Sequence, residues 1–418
     1  MFTVPPFATV ACWITLEHFD GSFLNMARAM YEMGFLQFLA QFGPSPSPPL
    51  QVVGGYAVWV LFQAALYTIL PGKSKGQLTP AGNLLEYWTN GLLALVCTII
   101  LASGLHFYKV VDLGLVAENW EGLLVTFNMY GLALTVVAFL KAHYAPSHSA
   151  DRKFSGSMMY DILMGIELNP RFSTNWDWKL FHNGRPGIIG WVLINASFTI
   201  AQYRRFGHVT NSIIIVDILQ ALYIVDFFVN ESWYTRTIDI ALDHFGFYLA
   251  WGSGAFLPTM YTLQAQYLSR HDVQLPSAVA ALVLAVGLGG YALFRSVNEQ
   301  KDLARRTKGD CKIWGKKPNF KRCTFTTTDG QKHESLLLLS GWWGLARHAN
   351  YTGDLLISYA MCAACGMGNF LPWTYAVIMT SVLVHRCYRD EQSCRAKYGT
   401  QWDEYCAQVP WRLVPGVW

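Results

Sequence analysis

The sequence predicts an all-α, polytopic integral membrane protein of about ten transmembrane helices, and three observations carry that reading. Of 418 residues 53% are hydrophobic and only 14% charged, where soluble proteins carry about 25%. Aromatic residues reach 15%, with 16 Trp, 21 Tyr and 25 Phe, the side chains that collect at the two faces of a bilayer. Apolar runs recur along the chain at roughly the twenty-residue length that crosses hydrocarbon. This balance argues against a soluble enzyme.

The N-terminal stretch sets Pro5, Pro6, Glu17 and Asp20 around a short apolar segment. It lacks the basic leader and cleavage pattern of a signal peptide, so it reads as a first helix. Nine further runs follow, at residues 52–70, 92–107, 123–140, 188–203, 209–229, 242–261, 278–294, 355–371 and 373–384. Several are short or interrupted by Gly and Pro, which a bundle tolerates where neighbours or a cavity satisfy the freed backbone groups. Two polar connections, 143–187 and 295–334, break the series. The second holds eleven Lys or Arg against five acids (Glu299, Asp302, Asp310, Asp329 and Glu334), a net +6 where the rest of the chain sums to −2. The positive-inside rule places that loop in the cytosol, and a topogenic signal is the plainest use of such a loop.

With a net charge of only +4, the chain has no global field to attract nucleic acid. Nine cysteines form no disulfide framework, and Cys97, Cys362 and Cys365 fall inside apolar runs as small buried thiols. Cys362 and Cys365 make a lone CxxC, and Cys311 and Cys323 have no His at ligand spacing, so no metal site is expected. A dinucleotide turn, GxGxxG between strand and helix, is missing: Gly287, Gly289 and Gly290 sit inside a span, and Gly366 with Gly368 lacks a third glycine. No phosphate-binding P-loop, HExxH or GxSxG occurs either. Any nucleotide must be held by a pocket of side chains.

Ionisable groups inside spans are costly and mark function by default. In the sixth span Asp217, Gln220, Tyr223 and Asp226 fall at successive steps of three, with Asn230 and Glu231 just beyond. At about 100° per residue they cover roughly half the helix circumference. The seventh answers with Asp239, Asp243 and His244, then Tyr248 and the Gly252 and Gly254 pair that admits a close backbone. Polar glue between helices is the plain alternative. In GSMMYDILMGIELNPR (156–171), Tyr160, Asp161, Glu167, Asn169 and Arg171 alternate with apolar residues, the pattern of an interfacial segment with pinned polar groups. LLLLSGWWGLARHANYTGD then brings Trp342, Trp343, Arg347, His348, Asn350, Tyr351 and Asp354 into thirteen positions. A Trp pair alone suits an aromatic belt; Arg347, Asn350 and Asp354 add hydrogen-bonding groups of the kind that meet phosphate and ribose. The segment HRCYRDEQSCRAKYGTQWDEY adds Arg386, Arg389, Asp390, Arg395, Lys397, Tyr398 and Tyr405, with Arg386, Asp390 and Lys397 on one face if helical. That is a solvated amphipathic tail or a pocket for a charged planar ligand, with cations on phosphates and rings stacking.

Two of these segments, GSMMYDILMGIELNPR and LLLSGWWGLARHANY, resemble the paired signatures of the sterol reductases, the family that includes the C14- and C7-sterol reductases. The resemblance covers residues 52–418. KLFHNGRPGIIGWVLINASF, HVTNSIIIVDILQALYIVDFF, IWGKKP and HRCYRDEQSCRAKYGTQWDEYCAQVPWRLVPG are most similar to the C7 branch. The resemblance implies a ten-helix enzyme of the endoplasmic reticulum that uses NADPH to saturate a ring double bond, taking its sterol from the bilayer. It implies a sterol side in residues 1–294 and a cofactor pocket in 295–418, within one integrated domain. Lys301 and Arg305 would meet the adenosine phosphates; Trp343, Arg347, Asn350, Tyr351 and Asp354 would line the pocket; Arg386, Asp390, Lys397 and Tyr398 would close it. The N-terminal region matches weakly, and Trp342 stands where the animal C7 reductases carry Phe.

The C7 branch implies reduction of the C7–C8 bond of a 5,7-diene sterol, and the C14 branch is the alternative. Protonation at C8 comes first, and Tyr223 fits the family's Tyr in LYxxD as the donor. Asp226, Glu231, Asp243 and His244 would relay protons and stabilise the cation. A free phenol titrates near 10, so Tyr223 needs neighbours that ease loss of its proton, whereas nearby acids oppose it. The lamin B receptor shares this fold with a chromatin-binding extension ahead of it, so a chromatin-receptor role is disfavoured here. RHxxY followed by the KYG segment also resembles the isoprenylcysteine carboxyl methyltransferases, users of S-adenosylmethionine. Those are much shorter and have nothing like Asn169 to Arg171.

Overall fold

In the computed structural model, residues 2–326 and 330–418 are described; Asp329 lies outside them. The chain is mainly helical. Among the described residues, four helices are long and apolar enough to cross a membrane: Leu50–Ile69, Trp120–Tyr144, Asn211–Val229 and Ser277–Arg306. A shorter apolar helix, Gly91–Phe107, packs against Leu50–Ile69 and Asn211–Val229. Leu50–Ile69 buries only Val52, Gln63 and Tyr67 and turns Val58 and Leu61 outward, as expected where lipid is the solvent. The structure thus shows a multi-helix membrane protein.

Helix ends follow local chemistry. Thr210 caps Asn211–Val229, its hydroxyl accepting from the Ile213 N–H, which satisfies one of the orphan donors of the first turn. Gly207, at φ +77°, ends Gly190–Phe206 in the left-handed conformation that glycine adopts without strain. The chain divides into two compact units, one of Met1–Gln274 with Cys365–Pro372, the other of Leu275–Ala364 with Trp373–Trp418.

In the first unit, Trp13, Trp120, Phe127, Phe198 and Trp251 build an aromatic core, and Trp191, Ile224 and Phe228 a second. The continuous helix expected over 242–261 is broken into Ile238–Ala241, Phe247–Trp251, a π-helical turn Gly252–Phe256 and Leu257–Met260. The cause is local: the Gly246 backbone lies directly against Gly165, leaving no room for a Cβ on either residue, and Gly252, Gly254 and Pro258 weaken the ladder around them. A second π-helical turn, Asn183–Ile189, contains Pro186, whose missing N–H disfavours ordinary α-helix. It takes up the start of the span expected at 188.

In the second unit, Ser277–Arg306 continues past the expected end at 294 and carries the first part of the basic connection as helix. The rest of that connection holds a hairpin, Phe320–Thr326 paired antiparallel with Lys332–Leu338. A smaller hairpin, Lys73–Leu78 with Leu84–Trp88, lies in the first unit, so the chain is mostly rather than purely helical. Cys323 and Leu337 of the larger hairpin are buried with Tyr398, Trp402 and Tyr405, which explains why an amphipathic strand pair forms here. Ser277–Arg306 crosses Ala349–Ala364 closely. A Cβ on Gly290 would stand 2.8 Å from the Gly353 carbonyl oxygen, and one on Gly353 2.6 Å from that of Gly290.

Candidate active site

The polar face of Asn211–Val229 is committed to neighbours of the first unit. Asp217 accepts from the Thr199 hydroxyl at 2.6 Å. The Gln220 carbonyl oxygen accepts from Trp191 Nε1 at 2.8 Å and Asn195 Nδ2 at 2.6 Å, while its amide donates to the Tyr261 carbonyl at 3.0 Å. One turn on, half-buried Tyr223 has its ring centre 6.0 Å from that of Trp191. Asp226 accepts from Asn230 Nδ2 at 3.0 Å.

Glu231 belongs to a different arrangement. Its carboxylate meets Arg185 Nη1 at 2.6 Å and accepts the Gly91 N–H at 2.8 Å. Arg185 is fully buried, donates to Asn90 Oδ1 at 2.8 Å and has its guanidinium over the Tyr67 ring at 4.9 Å. Such a pair neutralises itself, and losing either partner would strand a buried charge.

Asp243 and His244 follow the short helix Ile238–Ala241, and this turn is tied down by buried Lys179. Its ammonium donates to the carbonyls of Asp239, Ile240 and Asp243 at 2.8, 2.7 and 2.7 Å, and burial lowers its pKa to about 8. Asp177 accepts from Asn169 Nδ2 at 3.2 Å and lies 3.5 Å from Arg171 Nη2. Glu167 pairs with Lys141 at 3.0 Å. Glu167, Asn169 and Arg171 of 156–171 are therefore pinned, whereas Tyr160 is exposed.

In the second unit the cofactor candidates gather on three elements. Lys301, near the end of Ser277–Arg306, sets its ammonium 4.4 Å from the centre of the Trp343 ring. Trp343 Nε1 donates to the Val297 carbonyl at 2.8 Å and fixes that wall. Lys301 feels the charges of Arg305, Asp390 and Asp302, and Arg305 lies within electrostatic reach of Cys394, Lys397 and Tyr398. Lys397 Nζ stands 3.8 Å from the Phe325 ring centre and 5.3 Å from that of Tyr398. Three cations and three aromatic faces thus share one region, with Asp390 and Asp302 both acting on Lys301. Asp354 lies in the electrostatic reach of Arg386.

Arg347 is turned elsewhere. One arm of its guanidinium donates to the carbonyls of Val409 and Pro410 at 2.6 and 2.9 Å, and the other meets Glu391 at 2.5 Å. Glu391 also accepts from Arg412 at 2.9 and 3.0 Å. Burial alone would raise the Glu391 pKa, but the hydrogen bonds from Arg412 and Arg347 hold it below the usual carboxylate range. Backbone bonds from Arg347 to Trp411 at 2.9 Å and from His348 to Arg412 at 2.8 Å complete a clasp. His348 is buried, which lowers its pKa to about 4, and stacks on Tyr351 at 5.2 Å. Asn350 reaches Asn298 at 3.4 Å.

Arg185, Lys179, Glu391 and Arg412 were not singled out from sequence. Arg185 and Lys179 precede a span, where a cation reads as an end marker. Among the described residues, no group of three or more His, Cys, Asp or Glu could hold a metal ion.

Fold and site together define a helical membrane protein with a polar interior in one unit and a cationic, aromatic cluster in the other, and comparison with known sequences gives its family. The chain belongs to the ergosterol biosynthesis ERG4/ERG24 family, whose pattern matches residues 2–418; it is a sterol reductase. It is 49% identical over 376 residues to the 7-dehydrocholesterol reductase of Xenopus laevis, covering 87% of this chain and 79% of that one. It is 48% identical over 378 residues to the 7-dehydrocholesterol reductase of Danio rerio, covering 87% and 78%. A Delta(14)-sterol reductase of Methylotuvimicrobium alcaliphilum is 36% identical over 426 residues, covering 100% and 93%.

Proposed function

We propose that this sterol reductase saturates the C7–C8 double bond of a 5,7-diene sterol with NADPH, in the endoplasmic-reticulum membrane, with ten spans and the connection 295–334 in the cytosol. The observation that carries the C7 assignment is the 49% identity to a 7-dehydrocholesterol reductase across 87% of the chain. NADPH supplies the hydride when bound. The described geometry fits such a ligand: Lys301, Arg305 and Lys397 offer charge for phosphates, and Trp343 and Tyr398 offer ring faces. Asn350, Tyr351 and Asp354 contribute polar contacts, with Arg386 and Asp390 at the closing side, while Arg347 shapes the wall through its clasp.

Tyr223 would deliver a proton to C8 of the sterol. The positive charge then left at C7 is shared with the neighbouring 5,6 double bond as an allylic cation, and hydride addition at C7 completes the saturation. Asp226, Asp243 and His244 would return a proton to the phenolate and stabilise the cation electrostatically. Glu231 would serve this face through Arg185, holding charge balance in the dry interior.

The test offers purified protein in lipid a 5,7-diene sterol and an 8,14-diene sterol separately with NADPH, and identifies products by mass spectrometry. Conversion of the 5,7-diene to the 5-ene is expected. Exclusive turnover of the 8,14-diene would move the chain to the other branch of its family, the reading that the 36% identity to a Delta(14)-sterol reductase over the full chain favours.

A further inference from the structure

In the motif IWGKKP, Ile313 packs in one cluster with Trp343, whereas Trp314 to Lys317 play no part in the site above, and their conformation is unusual. Ile313 and Lys316 exchange backbone hydrogen bonds of 2.9 and 3.1 Å across a tight turn. At its tip Trp314 has φ +49° and Gly315 φ +78°. A left-handed conformation is uncommon for a bulky side chain and costs of order 1 kcal/mol or more. Folding recovers little of that cost by burial, because Trp314 is 59% exposed. Lys312, Lys316 and Lys317 beside it are exposed too.

The height of the turn can be read from its neighbour. The Trp314 ring meets that of Trp342 edge to face at 5.1 Å, and Trp342 Nε1 donates to Ser296 Oγ at 3.0 Å. Ser296 lies immediately after the apolar run ends at Phe294 and Arg295. The indole pair is thus moored where the membrane-crossing helix leaves hydrocarbon. Indole rings partition to that layer, and lysines close to it are attracted to anionic lipid by about 1 kcal/mol each.

We propose that the Ile313–Lys316 turn is a binding site for anionic phospholipid headgroups, with Trp314 inserted among the headgroups and Lys316 and Lys317 on the phosphate and carboxylate oxygens. The exposed tryptophan and the lysines then answer to one partner, the bilayer that holds the chain.

Protein labelled with 5-fluorotryptophan in detergent provides a direct reading. The Trp314 fluorine line is assigned by its loss in Trp314→Asn, a substitution that keeps the turn because Asn accepts the left-handed conformation. Short-chain phosphatidylserine should shift this line at concentrations where short-chain phosphatidylcholine does not. Replacing Lys316 and Lys317 together by Ala should weaken the phosphatidylserine response by roughly 25-fold, about fivefold per cation. An equal response to both lipids, or no response to either, would overturn the proposal. So would a shift produced by inorganic phosphate or by NADPH at the same concentration, the first marking a free-anion site and the second an extension of the cofactor wall.

Discussion

Tyr223 and Glu231 occupy the same polar stretch of sequence yet have different surroundings. Glu231 is bound to a buried arginine, whereas Tyr223 is half-buried on a helix face whose neighbouring Gln220 is held rigidly by Trp191 and Asn195. Tyr223→Phe removes one hydroxyl and keeps the ring against Trp191. Folding and cofactor affinity should therefore survive while turnover falls by about a hundredfold to ten-thousandfold, the usual cost of a lost general acid. Single-turnover kinetics on the preferred sterol, beside Asp243→Asn and His244→Ala, decide between donor and relay. Near-full activity in Tyr223→Phe with either companion dead would pass the donor role to the Asp243–His244 turn. The stripe Asp217, Gln220, Tyr223, Asp226 was legible in the sequence because helical periodicity converts spacing into a shared face. Arg185 was not, since its partner Glu231 stands far along the chain and no local rule links them. The same holds for Glu391, whose two arginines come from separate segments.

At the scale of elements, the clearest constraint is the crossing of Ser277–Arg306 and Ala349–Ala364 at Gly290 and Gly353. Gly353→Ala forces its Cβ against the Gly290 carbonyl and Phe294 backbone, where nothing flexible can yield, and overpacking of this kind costs about 1–3 kcal/mol. Gly289→Ala meets nothing within 4 Å and gains helix propensity, so it should be neutral or stabilising. Thermal unfolding of both variants in one detergent is expected to separate them, with Gly353→Ala melting lower. Equal melting points would show that the crossing relaxes. The four helices long enough to span were legible as apolar runs, because lipid demands them. Their extensions were not. Ser277–Arg306 runs on into cationic sequence because Val297 and Ala304 still pack against Trp343 and Ile313, a tertiary reason that a charge-based boundary misses. The helix expected over 242–261 is interrupted before Phe247 through the Gly165 to Gly246 contact, another long-range cause.

Across the whole molecule, each compact unit buries a neutral histidine outside its spans. His182, whose Nδ1 lies 2.7 Å from the Trp178 carbonyl, has its pKa lowered to about 4 by burial, and His348 falls to about 4 for the same reason. Their ordinary value is near 6.5. Above that both folded and unfolded chains are neutral at these sites, and the full stability is present. As pH falls from about 6.5 towards 4 only the unfolded chain gains the protons, so stability is lost, by up to about 3 kcal/mol for each histidine. Unfolding midpoints measured across this range should therefore decline, and His348→Gln should flatten the curve. A midpoint unchanged between pH 6.5 and 4 would show that these rings reach water in the folded protein.

The two π-helical turns, Asn183–Ile189 and Gly252–Phe256, set the angular phase of the helix that continues from each. A π turn spends about one residue more than an α turn on the same rotation. Downstream side chains therefore point in directions that an uninterrupted helix would give to their neighbours. Trp191 and Asn195, on the helix that continues directly from Asn183–Ile189, reach Gln220 in that shifted phase. The polar interior around Gln220 is in this sense indexed by a surplus residue, and a family member that lost it would have to rebuild that hydrogen-bonding pattern from a different set of amino acids.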